Sequence, residues 1–315
     1  MVLSHSKCSE LIWIVSACYV PVFFVCSGYT LKRKENQTFK EFVSQKCRRL
    51  LLPYLFCMVL IVAFNFIVGK ILHQPFDGFR STIGALYSRA ELFPHGTENN
   101  ILMLPMNSQP MWFLTALLVT IIAAYPLLKW NRDKKVVAIT SVFLLILAFL
   151  FTELPVLLPW STDCVPAFLL MILFGYWVRE KEWMNLPRWY YAVMLTIYVV
   201  ILYFNDTVNF SVRQYGNSVT LAVVSSLLGS LLLMKLSQHI EKVKVLRQPL
   251  AALGRHSLYI MCFHLPVLTV CAKIISGSSY SGPVLYALYL ASVIIAIIAG
   301  YVLSLLVQRY ILFLK

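Results

Sequence analysis

The sequence predicts an all-α, polytopic transmembrane helical bundle, and three observations lead to this fold class. The chain has 315 residues, 60% of them hydrophobic, and a mean hydropathy of +0.76, which is far too apolar for a soluble domain. Its apolar residues form nine segments close to the roughly 20 residues that cross a bilayer. Its basic residues collect in alternate connections between these segments, as membrane topology requires. We therefore expect about nine full spans plus a truncated first helix.

The nine predicted spans follow one another along the whole chain. Their approximate bounds are 11–29, 52–72, 110–128, 136–152, 163–178, 189–204, 218–236, 256–275 and 284–308. The first and fifth contain Pro21 and Pro166, and proline kinks a membrane helix without forbidding it. Residues 1–8 are too short to span and lack the basic region of a signal peptide. We expect them to be the outer end of a helix whose first half is missing from a single integral-membrane domain, residues 1–315.

The basic residues predict the orientation of the spans. The connections 30–51, 129–135, 179–188 and 235–255, together with the C-terminal tail, hold 21 of the 27 Lys and Arg residues. The outer connections hold only Arg80, Arg89 and Arg213. This asymmetry predicts a cytoplasmic C-terminus. Membrane topology then explains the net charge of +14, so we expect the lipid bilayer, and no nucleic acid, as a partner. The sequence leaves the oligomeric state open.

The cysteines predict neither a disulfide framework nor a metal site. All eight are scattered, with no Cys-x-x-Cys pair and no His/Cys cluster of zinc spacing. Most lie in apolar runs, where a thiol is usually a small hydrophobic side chain.

The longest outer connection, residues 73–109, contains histidines, acidic residues and turn-forming residues. Loops of that length are usually functional. It is a candidate lid or acceptor-binding loop.

The stretch from Pro21 to Tyr54 predicts a membrane hairpin with a cationic tip. Gly28, in Ser27-Gly28-Tyr29, can adopt the positive φ that closes a helix, and Pro53 suits the first position of the next one. Between them lie seven cations and two acidic residues. Such a density beside apolar spans marks the cytoplasmic side.

Three of these cations, Lys46, Arg48 and Arg49, stand just before the second apolar segment. Lys46 and Arg49 are three positions apart and share a helix face, whereas Arg48 points elsewhere. Lys and Arg are natural partners of phosphate groups on a ligand. They also serve as topology anchors among lipid phosphates, and both interpretations remain open.

Two histidines lie at or near membrane depth. A titratable imidazole there is a functional candidate, because polar groups are unfavourable in hydrocarbon without a partner. The two histidines are His5 and His264, and each also has a purely structural interpretation. His5 could extend to the membrane interface, and His264 could be hydrogen-bonded to a neighbouring helix. Ser257 and His264 are seven positions apart, about two helical turns, and are expected on one face.

Trp112 begins a predicted span directly after the long outer connection. Such a tryptophan belongs either to the aromatic belt of the membrane interface or to a site where its ring stacks on a sugar.

The order and spacing of these motifs resemble the integral-membrane acyltransferase-3 family, the O-acyltransferases of bacterial surface glycans. The matching elements are the Gly-His-Ser-like Ser4-His5-Ser6, the Pro-x-Phe-Phe-x-x-Ser-Gly-Tyr helix end at Pro21 to Tyr29, the Arg-Arg-Leu-Leu-x-Pro-Tyr element at Arg48 to Tyr54, the Trp-Phe-Leu start at Trp112 to Leu114, and, loosely, Gly254, Ser257, His264 and Pro266. The resemblance covers nearly the whole chain. One departure is that the family's first helix usually begins with a basic residue well before the histidine, a position that this chain lacks. Either the natural start lies upstream or the chain is a truncated form.

The resemblance implies a ten-span fold in the bacterial inner membrane and an O-acetyltransferase activity. An acyl group, with acetyl as the commonest, would pass from acyl-CoA to a hydroxyl of a cell-surface, exopolysaccharide or lipid-linked glycan. Acyl-CoA (acetyl-CoA) is then a donor substrate, and no permanently bound cofactor or metal is implied.

The resemblance also implies roles for the residues that match it. His5 would be the general base, and His264 with Ser257 would polarise the thioester or hold the acceptor. Lys46, Arg48 and Arg49 would bind the phosphates of CoA. The pocket would be shaped by Ser27, Gly28 and Tyr29, and Trp112 would stack on the sugar.

Two other function classes share the apolar architecture. A glycan polymerase or flippase more often places several arginines in large outer loops, and the outer connections here hold three basic residues. A transporter favours internal repeats or paired acids within its spans, and the sequence shows neither. Binding or hydrolysis of acetyl-CoA distinguishes the acyltransferase from both.

Overall fold

The computed structural model describes residues 2, 5, 13–32, 37–71, 73, 75–89, 91–94, 110–128, 133–277 and 282–310. Within these residues the regular secondary structure is helical and no strand forms; isolated bridge residues occur, as between Asn209 and Gln214. The helices are α1 Pro21–Thr30, α2 Phe39–Ile71, α3 Gly78–Tyr87, α4 Trp112–Leu127, α5 Lys134–Leu150, α6 Val165–Glu180, α7 Arg188–Asn205, α8 Val219–Glu241, α9 Lys244–Arg255, α10 Ser257–Ser276 and α11 Gly282–Tyr310.

The predicted fold class is confirmed: the protein is an all-α, multi-pass membrane bundle. Six helical segments are long and apolar enough to cross a membrane: α2, α8, α10 and α11, together with α5 and α6 when their adjoining 3-10 turns are included, as Lys135–Glu153 and Pro159–Glu180. The other three predicted spans fall on α4, on α7, and on residues 13–30, where helical residues and turns lead into α1. Each of the nine predicted segments therefore coincides with helical structure in the described part of the chain.

The start of the second span was predicted wrongly. The helix begins at Phe39 and contains Pro53 in its interior. Thr38 and Glu41 form a capping box, in which the Thr38 N–H donates to the Glu41 carboxylate at 2.9 Å and the Glu41 N–H donates to the Thr38 hydroxyl at 3.3 Å. This pattern starts a helix, and membrane helices tolerate an interior proline.

Because α2 has 33 residues, it is about 50 Å long and exceeds a hydrocarbon core of about 30 Å. The predicted cationic tip is therefore mostly an extension of this helix.

The first span ends within one residue of its predicted end, but the predicted role of Gly28 in closing it was wrong. The helix continues to Thr30, and Gly28 is not among the residues with positive φ. A Cβ on Gly28 would lie 1.9 Å from the Ile172 carbonyl oxygen of α6, and a Cβ on Gly175 would lie 1.9 Å from the Val25 carbonyl oxygen of α1. Both glycines thus allow α1 and α6 to approach closely, as small residues do between membrane helices.

The outer connection between α2 and α4 is partly helical. Residues 78–87 of this connection form α3, whose first turn is capped by the Asp77 carboxylate, 2.9 Å from the Arg80 N–H. Most of the remainder of the predicted lid, including residues 95–109, lies outside the described residues.

A buried ion cluster lies where the connections predicted to be on the outer side meet. Asp163 Oδ2 is 3.0 Å from Arg89 Nη2 and 3.2 Å from Arg213 Nη1, and all three side chains are buried. Arg213 also donates to the carbonyl oxygens of Thr152, Leu154 and Val156. Two of the three basic residues in the outer connections therefore join these connections to each other.

We expect Gly175→Ala to destabilise the protein by about 1 to 3 kcal/mol, because the new Cβ overpacks the α1–α6 contact. Thermal unfolding in detergent measures the effect. Gly254→Ala is the matched control, since nothing lies within 4 Å of its Cβ position. Equal unfolding temperatures for the two variants would contradict this packing role.

We expect Asp163→Asn to destabilise the protein by about 3 to 5 kcal/mol, because it leaves two buried guanidinium groups without their carboxylate. The control is Glu241→Gln, which removes an exposed pair with Arg247 at 3.8 Å and should change stability by less than about 1 kcal/mol. The same detergent unfolding assay applies. A wild-type stability for Asp163→Asn would show that the cluster does not hold the outer connections.

Candidate active site

Two histidines from opposite ends of the chain lie side by side. The ring centroids of His5 and His264 are 5.3 Å apart, and their planes are tilted by 44°. His264 is fully buried in α10, and His5 is half-buried. Close to His5, Val2 packs against α10 and α11, where it contacts the cluster of Leu268, Val293 and Ala296. The N-terminal residues that the structure describes therefore reach the helix that carries the second histidine.

The hydrogen bond of His264 determines what its ring can do. Nδ1 lies 2.6 Å from the Met261 carbonyl oxygen. Because a carbonyl only accepts, Nδ1 carries the hydrogen, and in the neutral ring Nε2 is an acceptor. Nε2 is buried and has no hydrogen-bond partner among the described residues. A buried lone pair of this kind is unfavourable unless a ligand or a proton uses it.

An apolar cavity of about 510 Å³ lies along the helix that carries this histidine, although His264 itself does not line it. It runs between α2, α10 and α11. The α10 residues that line it include Phe263, Pro266 and Val267, which are close to His264 in the sequence. The facing wall comes from α2, with Leu60, Ile61 and Phe64. Its size suits a small molecule or the arm of a larger one.

The three predicted phosphate-binding cations lie near the start of α2. Arg48 and Arg49 are exposed, and Lys46 is half-buried, with its Nζ 5.3 Å from the centroid of the Phe42 ring. At 1.5 Å per residue, Arg49 stands about 16 Å along the helix from Leu60 in the cavity wall. One helix therefore carries both the cations and one side of the cavity.

The predicted pocket residues Ser27, Gly28 and Tyr29 lie at the end of α1, in the crossing with α6. The Arg179 guanidinium of α6 donates to the carbonyl oxygens of Tyr29 at 3.0 Å and Leu31 at 2.8 Å. It satisfies acceptors that a helix end leaves without partners. The motif therefore packs and caps α1.

Trp112 and Ser257 do not lie beside the histidine pair in any contact of the described residues. Trp112 is only 5% exposed and stacks on Phe168, with 6.3 Å between ring centroids, so its ring lies in the protein core and not in a lipid-facing belt. Ser257 is exposed at the first position of α10. The rise of two turns separates it from His264 by about 10 Å along the helix.

Sequence reasoning missed two sets of residues. Arg179 carried a signal, because a cation in the last turn of a helix often binds free carbonyl groups. The ion cluster of Asp163 with Arg89 and Arg213 carried a weaker one: an acidic residue at the edge of an apolar span usually has a partner.

The comparisons with known proteins agree with this architecture. The model of the acyltransferase-3 family, described as an acyltransferase domain, matches residues 4–307. No curated protein matches the chain, and no solved structure does. Since the family model covers nearly the whole chain, the protein belongs to the acyltransferase-3 family and is a membrane-embedded acyltransferase.

Proposed function

We propose that this acyltransferase moves an acetyl group from acetyl-CoA to a hydroxyl of a cell-surface glycan, with His5 as the general base. The observation that supports the proposal is the pairing of His5 with His264 within the membrane bundle. Family membership favours this chemistry over a glycan polymerase, a flippase or a transporter.

The reaction needs a base because a sugar hydroxyl is a poor nucleophile at neutral pH. His5 accepts the hydroxyl proton while the oxygen forms a bond to the thioester carbonyl carbon. The carbon–sulfur bond then breaks, and the proton passes from His5 to the thiolate of CoA. A positioned base of this kind contributes about 10² to 10⁴-fold in rate.

His264 suits one of its two expected roles better than the other. To polarise the thioester it would have to donate a hydrogen bond, but its Nδ1–H is directed at Met261. Its Nε2 lone pair can accept a hydrogen bond from the acceptor hydroxyl. His264 would therefore hold the acceptor beside His5, which converts a bimolecular encounter into an oriented one.

The donor would lie along α2. Lys46, Arg48 and Arg49 would bind the phosphates of CoA, and the apolar cavity would take the pantetheine arm with its acetyl group. The charge asymmetry of the connections supports a cytoplasmic location for these cations and for the C-terminus, and family membership supports a bacterial inner membrane.

The remaining predicted residues would act indirectly. Ser27 to Tyr29 would position α1 against α6. Trp112 and Ser257 receive no direct contact with substrate in this proposal.

We expect His5→Gln and His264→Gln each to lower the transfer rate at least about 100-fold, because glutamine neither accepts the proton nor retains the imidazole geometry. Release of free CoA thiol by the purified protein with a glycan acceptor measures the rate. If the two rings act as a unit, the double variant should lose little more than either single variant.

The control is His239→Gln. His239 is exposed, and its Nδ1 lies 2.9 Å from a carbonyl oxygen of its own helix, that of Lys235, as the Nδ1 of His264 lies close to the Met261 carbonyl oxygen. It should retain wild-type activity. Wild-type activity in His5→Gln would exclude His5 as the base.

We expect Lys46→Gln combined with Arg49→Gln to raise KM for acetyl-CoA about tenfold or more, because two charge-assisted contacts to phosphate are lost. The KM for acetyl-pantetheine, which lacks the nucleotide phosphates, should not change. Steady-state kinetics with both donors measure the difference.

Lys70→Gln is the matched control, since Lys70 lies at the other end of the same helix with its Nζ 5.8 Å from the Phe66 ring, as Lys46 lies over Phe42. An equal rise in KM for both donors in the Lys46/Arg49 variant would show that these cations do not bind the nucleotide phosphates. They would then serve only as topology anchors.

A further inference from the structure

The short helix α9 leaves its apolar side chains uncovered. None of its residues is buried, and Val245 is 81%, Leu246 46% and Leu250 45% exposed. Large apolar side chains grouped on one side of a helix usually contact something apolar. The neighbouring helices of the described structure do not provide that contact.

The helix is strongly amphipathic. At about 100° per residue, one side collects the apolar residues Val245, Leu246, Pro249, Leu250 and Leu253. The other side collects the polar residues Lys244, Arg247, Gln248 and Arg255. The two sides do not intermix, which is typical of a helix at a boundary between apolar and aqueous surroundings.

The neighbours of α9 in the chain determine where that boundary is. It begins three residues after α8 ends at Glu241, and α10 begins at Ser257 directly after it. Both neighbours are membrane-spanning helices. The 12 residues of α9 are about 18 Å long, too short to cross a bilayer. Its two ends are therefore held at the same membrane surface.

The charges indicate the kind of lipid. Lys242, Lys244 and Arg247, with Gln238 and Glu241, surround a surface depression of about 450 Å³. Glu241 pairs with Arg247 at 3.8 Å, which leaves an excess of positive charge. Phosphate groups of anionic lipids complement such an excess next to an amphipathic helix.

We propose that α9 is an interfacial helix that docks on an anionic phospholipid leaflet, with its apolar side among the acyl chains and its cations at the lipid phosphates. The docking would fix the base of α10, the helix that carries His264. At the junction, His256 Nδ1 lies 2.6 Å from Ser304 Oγ of α11, so α9, α10 and α11 meet at one point on the membrane surface.

Hydrogen–deuterium exchange of the full chain in lipid nanodiscs tests the proposal. The nanodiscs contain phosphatidylcholine alone or phosphatidylcholine with phosphatidylglycerol. We expect the amides of residues 245–253 to exchange about tenfold more slowly with phosphatidylglycerol, and the difference to shrink at high salt. The exchange of α6 serves as the internal standard for a folded protein.

Two pairs of variants separate the contributions. Leu246→Ser should abolish the slower exchange, whereas Ala251→Ser, an exposed change on the polar side, should retain it. Lys244→Gln with Arg247→Gln should remove the dependence on phosphatidylglycerol. Equal exchange in both lipids would overturn the proposal. The proposal would also be overturned if coenzyme A slowed the exchange of these amides in nanodiscs of phosphatidylcholine alone. That result would show that the cations bind a soluble phosphate ligand.

Discussion

The close approach of α1 and α6 is the constraint on which the rest of the bundle depends. Gly28 and Gly175 each face a backbone carbonyl of the other helix, where no Cβ fits. Phe24 and Phe168 stack beside them with 4.0 Å between ring centroids. Lipid tails are as apolar as leucine, so membrane helices associate mainly through such close packing and through polar contacts. The crossing therefore fixes the central pair around which α4 and α8 also pack.

Polar groups inside the bundle show which positions are structural. Arg179 binds the last carbonyl groups of α1, and Asp163 joins Arg89 to Arg213. Arg179 is half-buried at the end of its helix, whereas Asp163, Arg89 and Arg213 are buried and pair with each other, as ionic groups in a membrane protein usually do. His264 likewise has one ring nitrogen without a partner among the described residues, as Arg89 and Asp163 each keep buried polar atoms without one, but its ring also lies against a second imidazole, that of His5. An unused acceptor beside a second imidazole is the feature that a structural role leaves unexplained.

The sequence predicted the helices well because hydropathy and charge are local signals. Each of the nine apolar segments coincides with helical structure, although α2 begins at Phe39 instead of Pro53. The error arose because Pro53 alone was used to predict the helix start, although Thr38 and Glu41 carry the capping-box pattern. Gly28 was interpreted through its backbone freedom, whereas its role is to make room for Ile172. That contact depends on a residue far away in the chain, which no local pattern reveals.

The candidate site was predictable only residue by residue. His5 and His264 each stood out as an imidazole at membrane depth, but nothing in the sequence indicated that their rings would lie 5.3 Å apart. Ser257 was expected with His264 because of its helical face, and the rise along α10 separates them. Periodicity gives the direction of a side chain around a helix, whereas contact also depends on depth and on the neighbouring helix.

The most direct test of the central claim is mass spectrometry of surface glycans from cells that express the chain or its His5→Ala variant. The proposed acetyltransferase predicts acetylated glycan with the wild-type chain and none with the variant. Equal acetylation with both chains would contradict the assignment of His5 as the base of the reaction.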